Sequence, residues 1–271
     1  MLKDITFGQY YESGSFLHKT DPRTKLLLLI LNIVFIFLCK SLISLLFLFA
    51  AFAAVMIISK IPFKMYLKNI KSVSIIVAFT AVLNMFYYDD GKVLFKIFKL
   101  SVTSGGVYQA AYMALRIIML ILISSVLTYT TTPNDLTDAI ESLLKPLSLI
   151  GLSVAVHTLA MMMTIALRFI PTLVEETQKI MNAQKARGAD FESGKLTARL
   201  KALIPILIPL LVSAVRRAYE LAEAMECRCY NGGVGRVRMK RLKYSLRDLY
   251  ALVFSLIVCS AVLLINRIKI F

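Results

Sequence analysis

The feature that most constrains this chain is a nearly unbroken apolar run close to its start. From Leu26 to Ser59 the sequence reads LLLLILNIVFIFLCKSLISLLFLFAAFAAVMIIS, about 34 residues interrupted only by Cys39-Lys40-Ser41. A membrane-spanning helix needs about 20 apolar residues, so the run predicts two spans joined in a tight helical hairpin. Hydrophobic residues make up 58% of the chain, whereas soluble domains hold about 45–50%. The sequence therefore predicts an all-α integral membrane protein.

The distribution of charge predicts how the chain is oriented. Thirty-two Lys and Arg oppose sixteen Asp and Glu, a net charge of +16, and such an excess marks cytoplasmic loops in membrane proteins. Asp89 and Asp90, beyond the apolar run Ser72 to Tyr88, are expected outside the cell. The first twenty-five residues contain acids and no apolar block, which predicts a cytoplasmic N-terminus and no cleaved signal peptide. An acid-free lysine block is expected in the cytoplasm and consists of Lys60, Lys64, Lys68 and Lys71.

The rest of the chain brings the number of spans to about five. A short mixed segment, Lys92 to Gly106, precedes a span from about Gln109 to Thr130, and the final span runs from about Leu249 to Ile265. Between Pro133 and Pro146, apolar residues recur at helical spacing opposite acids. This pattern predicts an amphipathic helix that lies along the membrane interface.

Two long helices are predicted between the amphipathic helix and the final span. Val154 to Arg187 and Leu196 to Tyr230 each begin with an apolar half and end with an amphipathic half that tolerates water. At 1.5 Å per residue each is roughly 50 Å long, which exceeds the thickness of the hydrocarbon core. Internal prolines, Pro171 in the first helix and Pro205 and Pro209 in the second, are expected to bend them. The hydropathy also permits an ordinary pair of kinked transmembrane helices.

Hydropathy and charge together divide the chain into three regions. Residues 1–130 form an N-terminal membrane region with about four spans, 131–245 a cytoplasmic or interfacial module with the two long helices, and 246–271 the C-terminal span. The basic loop after the second long helix is expected at the cytoplasmic membrane surface. The expected surroundings are therefore a lipid bilayer. Nucleic acid is not an expected partner, because the interleaved aromatic and basic residues typical of its binding are missing.

The end of each long helix carries one arginine. Lys185-Ala186-Arg187-Gly188 closes the first helix, where glycine supports the left-handed turn that ends many helices. Arg228 lies at the end of the second helix. A guanidinium forms two hydrogen bonds with a carboxylate, so each arginine is suited to bind a partner. Narrow stripes on the amphipathic halves predict that the two helices cross: Leu173, Thr177, Ile180, Met181 and Gln184 on the first, and Ala218, Leu221, Ala222, Met225 and Cys229 on the second.

The sequence contains no pattern typical of an enzyme or a metal site. Four cysteines and two histidines form neither a disulfide framework nor a zinc pattern. His157 lies in an apolar stretch without a nearby acid or cysteine. The glycine-rich segment 232–235 lacks the Gly-Lys-Ser/Thr ending of a phosphate loop. No catalytic residue, cofactor or metal is therefore expected.

Arg116 and Arg168 keep a second function open. Ionisable residues deep within spans mark the substrate path of a self-contained secondary transporter, and both arginines lie in apolar surroundings. Neither has an evident acidic companion in the sequence. This favours snorkelling or helix packing over a substrate path.

Four longer stretches resemble the transmembrane T component of energy-coupling factor (ECF) transporters. They are LHKTDPRTKLLLL, TTPNDLTDAIESLLKPL, ALRFIPTLVEETQKIMNAQKARGADF and RRAYELAEAMECRCYNGG, and together with the basic loop they extend over nearly the whole chain. The resemblance implies a non-enzymatic coupling subunit in the cell membrane. Its implied partners are two ABC-type ATPase subunits and small hydrophobic substrate-binding S subunits for vitamin or micronutrient uptake. The chain resembles the shared type, which serves several S subunits, more than the dedicated cobalt or nickel type.

The resemblance also implies roles for the two helix ends. In the family, two coupling helices each end in an Ala-Arg-Gly type motif that docks in a groove of one ATPase, and ATP-driven movement passes through them to the S subunit. The second motif keeps only its arginine, which puts a role for glycine there in doubt, and the helix can instead terminate near Asn231-Gly232. The motifs correspond to Ala186, Arg187 and Gly188 and to Cys227, Arg228 and Cys229.

Overall fold

The computed structural model describes residues 10–87, 93–97, 100–146, 153–189, 191, 196–231 and 242–267. Helices dominate this part of the chain, which confirms the all-α membrane class. A short antiparallel hairpin lies within the segment that the sequence left as mixed. The elements are α1 Pro22–Leu38, α2 Leu42–Ser59, α3 Phe63–Tyr87, β1 Val93–Ile97, β2 Leu100–Thr103, α4 Ser104–Thr130, α5 Pro133–Leu144, α6 Ser153–Ala186, α7 Leu196–Cys227 and α8 Leu246–Arg267.

The two predicted N-terminal helices form, but not as a tight pair, because the backbones of α1 and α2 each lie close to α4 and α8 rather than to each other. The Asp21 side chain caps α1 by accepting a hydrogen bond from the Arg23 N–H (2.9 Å), and Pro22 at the first helical position sacrifices no helical bond. The interruption in the apolar run separates α1 from α2. Ser41 caps α2 by accepting a hydrogen bond from the Ile43 N–H (3.1 Å).

Several helices begin or end at residues other than those predicted. α3 begins at Phe63, upstream of its apolar run, so that Lys64, Lys68 and Lys71 are helical. α4 begins at Ser104 rather than near Gln109, because the Thr103 hydroxyl caps it by accepting a hydrogen bond from the Gly106 N–H (3.1 Å). The amphipathic helix α5 is confirmed.

The chain divides into two compact units. We call residues 8–136 and 241–271 the membrane unit, and residues 137–240 the long-helix unit. In the membrane unit, α1, α2, α4 and α8 share one buried cluster, and α2, α3 and α4 share a second. The first consists of Ile36, Cys39, Leu45, Leu48, Tyr112, Met119, Ile123, Val258 and Val262, and the second of Met56, Ile61, Tyr66, Leu122, Val126 and Tyr129.

The long-helix unit is built around α6 and α7, which contain 34 and 32 residues. At 1.5 Å per residue both are roughly 50 Å long. They pack against each other, and Pro171, Pro205 and Pro209 lie inside them.

Within the described residues, six helices are long and apolar enough to cross a membrane: α2, α3, α4, α6, α7 and α8. α1, with 17 residues, reaches the lower end of the range for a span. The alternative in which both long helices cross the bilayer fits their length and composition.

Candidate functional site

The first candidate site lies where α6 ends. Ala186 is the last helical residue, Arg187 follows it, and Gly188 has a φ of +89°. The N–H groups of Gly188 and Ala189 donate to carbonyls of the last helical turn, each at 3.0 Å. This pair of bonds is a Schellman terminus, which satisfies the last carbonyls of a helix and requires a left-handed residue after the cap.

The end of α7 has the same geometry. Cys227 is the last helical residue, Arg228 follows it, and Cys229 has a φ of +55°. The N–H groups of Cys229 and Tyr230 donate to carbonyls of the last turn at 2.8 Å and 3.0 Å. Cys229 therefore occupies the position that Gly188 occupies at the end of α6.

This geometry corrects one expectation about the second end. The predicted alternative, in which the second helix runs on to terminate near Asn231-Gly232, is wrong, because α7 stops at Cys227. The chain needs one residue with positive φ after Arg228, and a cysteine adopts that conformation at a cost of about 1–2 kcal/mol relative to glycine. The residue type differs from Gly188 at the end of α6, whereas the left-handed backbone conformation is shared.

Both arginines are exposed at the helix ends. Arg187 and Arg228 immediately follow the last helical residue, where the negative end of the helix dipole favours a cation. Each backbone is held by the terminal hydrogen bonds, while each arginine side chain remains exposed. The arrangement suits a bidentate contact with a carboxylate of another protein.

α6 and α7 pack against each other, and the groove between them involves most of the second predicted stripe but only one residue of the first. Leu173 of the first stripe lines this apolar groove together with most of the second stripe. Thr177, the next residue of the first stripe, does not line the groove and donates its hydroxyl to the Leu173 carbonyl of its own helix at 2.6 Å. The groove is lined by Ile165, Phe169, Leu173, Ala214, Arg217, Ala218, Leu221, Ala222 and Met225.

An ion pair that sequence reasoning missed joins the two helices beside this groove. Arg217 Nη2 donates to Glu176 Oε2 at 2.7 Å, and the two side chains are 31% and 21% exposed. The acid and the arginine are visible in the amphipathic halves, but 41 positions separate them. Only the way the helices cross brings them together, so no local pattern could have predicted the pair.

A second contact in the long-helix unit corrects the reading of His157. The sequence shows no acid beside it, but the structure places Glu141 Oε1 of α5 at 3.4 Å from His157 Nδ1 of α6. The Glu141 side chain is 10% exposed. The contact ties α5 to α6 and adds no nucleophile, so it serves packing better than catalysis.

The two arginines of the apolar spans differ in their surroundings. Arg116 donates to the Cys39 carbonyl (3.1 Å) and to the Tyr112 hydroxyl, and its guanidinium stacks on the Tyr112 ring at 4.5 Å. Arg168 is exposed. For Arg116 these contacts favour the helix-packing role, because Arg116 and the Tyr112 hydroxyl both donate to the Cys39 carbonyl, which is left open where α1 ends.

The described residues hold no group of three side chains that could bind a metal. All four cysteines are free. Burial raises the pKa of the Cys39 thiol, between α1 and α2, which keeps this thiol protonated and unreactive.

Comparisons with known proteins agree with the resemblance. The family model described as cobalt transport protein matches residues 13–240. The energy-coupling factor transporter transmembrane protein EcfT of Clostridium kluyveri is 52% identical over 265 residues, 97% of each chain. The EcfT proteins of Brevibacillus brevis and Bacillus subtilis are 50% and 43% identical, covering 95% and 98% of this chain and 96% and 100% of their own. The chain therefore belongs to the cobalt transport protein family, among the transmembrane components of energy-coupling factor transporters.

Proposed function

We propose that this chain is the coupling subunit of its transporter and transmits movement from two ABC-type ATPase subunits to a substrate-binding S subunit. Each ATPase binds one helix end in a groove, through Arg187 in one case and Arg228 in the other. When ATP binding and hydrolysis move the ATPases, α6 and α7 carry the displacement into the membrane. The chain itself hydrolyses nothing.

The observation that carries this proposal is the match between the two helix ends. α6 and α7 differ in sequence, yet both end in a Schellman terminus with an exposed arginine at the same position. The left-handed residue after the arginine is glycine in α6 and cysteine in α7, yet the backbone conformation is the same. Two helix ends of the same shape fit a partner with two similar pockets.

The contacts between the helices support transmission of force. The Glu176–Arg217 ion pair and the packing of α6 on α7 hold the two helices together, so movement of one end is transferred to the other helix. An ion pair with both side chains partly exposed contributes about 1 kcal/mol or less by itself. Its contribution here is to fix how the two helices cross.

The test replaces the two arginines in the assembled transporter. A hydrogen bond to a charged group contributes about 1.5–3 kcal/mol, so Arg187→Ala or Arg228→Ala should weaken ATPase binding by about tenfold or more. The double variant should lose nearly all assembly. Affinity for the ATPases is measured by pull-down, and uptake by a vitamin transport assay in vesicles.

Lys179→Ala and Arg216→Ala are matched controls, since each removes an exposed cation from the same helices away from their ends. Both controls should assemble and transport normally. Normal assembly and uptake in the double arginine variant would overturn the proposal. Solute uptake by the purified chain alone, without ATPases, would instead support the secondary transporter.

The proposal also covers the orientation of the subunit in the membrane and the type of transporter it serves. We place the N-terminus and the helix ends in the cytoplasm of a cell membrane, and we assign the chain to the shared type that serves several vitamin or micronutrient S subunits. The four long stretches of resemblance and the charge distribution support this assignment.

A further inference from the structure

α3 has an outward face whose chemistry changes along the helix axis. Lys64, Lys68 and Lys71, which we call the lysine stripe, are all exposed. On the same side, one turn further along, Ile75 and Phe79 are 80% and 63% exposed. At 3.6 residues per turn these five side chains fall within an arc of about 80°.

The remaining residues of α3 leave this outward face exposed and positively charged. Tyr66 is the one fully buried residue of α3, and although this helix packs against α4, more than half of its residues, the lysine stripe among them, are exposed. No acid occurs between Phe63 and Tyr87. Among the described residues none of the three lysines makes an ion pair, so no acid in this part of the chain neutralises their charge.

Along α3 the lysine stripe is followed by the apolar residues Ile75 and Phe79, which is the order of the phosphate and the acyl chains in a phospholipid. The lysine stripe extends about 10 Å along the axis, and the apolar half begins within the next turn. Lysine stems lie along apolar surface while their ammonium groups reach the headgroup region. Exposed Phe63 and Leu67 beside the lysines are typical of a helix at the membrane interface. A soluble acidic protein would complement the lysines but not the apolar half on the same arc.

We infer that the exposed face of α3 binds an anionic phospholipid, with its phosphate among Lys64, Lys68 and Lys71 and its acyl chains along Ile75 and Phe79. Each lysine near an anionic membrane surface favours such a lipid by a factor of about five. The surface is independent of the ATPase-binding ends proposed above.

The test measures which lipids stay with the protein. The full chain is reconstituted in vesicles of equal phosphatidylglycerol and phosphatidylcholine and purified in mild detergent, and the retained lipids are quantified by mass spectrometry. The wild type should retain phosphatidylglycerol in at least about fivefold excess. The K64Q/K68Q/K71Q variant should retain the two lipids nearly equally, and the K64R/K68R/K71R variant should keep the preference.

The matched control is K179Q/K201Q/R216Q, which removes the same charge from exposed positions of α6 and α7. It should keep the excess of phosphatidylglycerol, and far-UV circular dichroism should show all variants folded. Unchanged excess in the lysine-to-glutamine variant, or equal loss in the control, would overturn the inference. If that variant keeps the lipid preference but loses a co-purifying protein, the stripe binds an acidic protein instead.

Discussion

The membrane unit and the long-helix unit bury their residues very differently. In the membrane unit, α4 buries ten of its 27 residues, and its neighbours share two apolar clusters with it. In the long-helix unit, Ala160 and Ile206 are the buried residues described in α6 and α7, although these are the longest helices. The membrane unit thus holds itself together, whereas α6 and α7 present most of their surface to other molecules.

This difference in burial indicates which substitutions should change stability and which should change binding to other molecules. A packed core responds to a lost side chain with a cavity. An exposed helix loses little stability but can lose a partner. Substitutions in the first unit should therefore affect unfolding, and those in the second should affect assembly.

The largest expected difference in unfolding free energy is between the same truncation, Met to Ala, made in the membrane unit and in the long-helix unit. Met119 is fully buried and Met162 is 61% exposed. Met119→Ala should lower the free energy of unfolding by about 3 kcal/mol, because it leaves a cavity among four helices. Met162→Ala should change it by less than about 0.5 kcal/mol. Unfolding is followed by circular dichroism in mixed micelles as the fraction of SDS is raised. Equal losses would contradict the contrast between the units.

A smaller loss of stability is expected when Arg116 is replaced, and almost none when Arg168 is. Arg116→Met should destabilise the chain by about 2 kcal/mol, since it leaves the Cys39 carbonyl and the Tyr112 hydroxyl without their charged donor. Arg168→Met, at an exposed position, should have little effect on stability. The same SDS titration compares them. A stable Arg116→Met variant with altered transport would indicate that this arginine contacts the substrate.

Reversing one charge of the Glu176–Arg217 ion pair should weaken the contact between α6 and α7 by about 1 kcal/mol. Glu176→Arg or Arg217→Glu places like charges together and should loosen the crossing of α6 and α7 by about that amount. The double exchange should restore it. The distance between spin labels on the two helices, and ATP-driven uptake by the assembled complex, are the measurements.

Glu175→Arg is the control for this pair, because Glu175 is adjacent and exposed. It should leave both the distance and uptake unchanged. If the double exchange behaves like the single ones, the pair does not set the crossing.

The most local effect, confined to the last turn of each helix, is expected at the two helix ends. Cys229→Gly should stabilise the end of α7 by about 1 kcal/mol, because glycine adopts the positive φ without strain. Gly188→Cys should destabilise the end of α6 by a similar amount through backbone strain, since no atom lies within 4 Å of an added Cβ. Amide hydrogen exchange at Tyr230 and Ala189 should become about fivefold slower and faster, respectively. No change at either amide would show that the ends are not strained.

Much of the fold could be predicted from local pattern. Apolar runs and their interruptions predicted α1, α2, the amphipathic helix and the two long helices, but not that α1 and α2 would each pack on α4 and α8 instead of on each other. The beginnings of α3 and α4 were missed because Phe63 and the Thr103 cap lie outside the apolar runs. At the site, the arginines were found from sequence, whereas the backbone conformation of Cys229 was not, because cysteine seldom adopts positive φ.

By itself the sequence determined the membrane class, the helices and the family, because hydrophobic length, helical periodicity and whole motifs are local properties of the chain. Only the tertiary structure decided that Glu176 pairs with Arg217, that Arg116 satisfies the end of α1, and that Cys229 takes the place of glycine. Each of these depends on a packing arrangement or on a backbone conformation that several residue types can adopt. Polar side chains far apart in sequence become hydrogen-bonding partners only when their helices pack together, and no local sequence pattern predicts that packing.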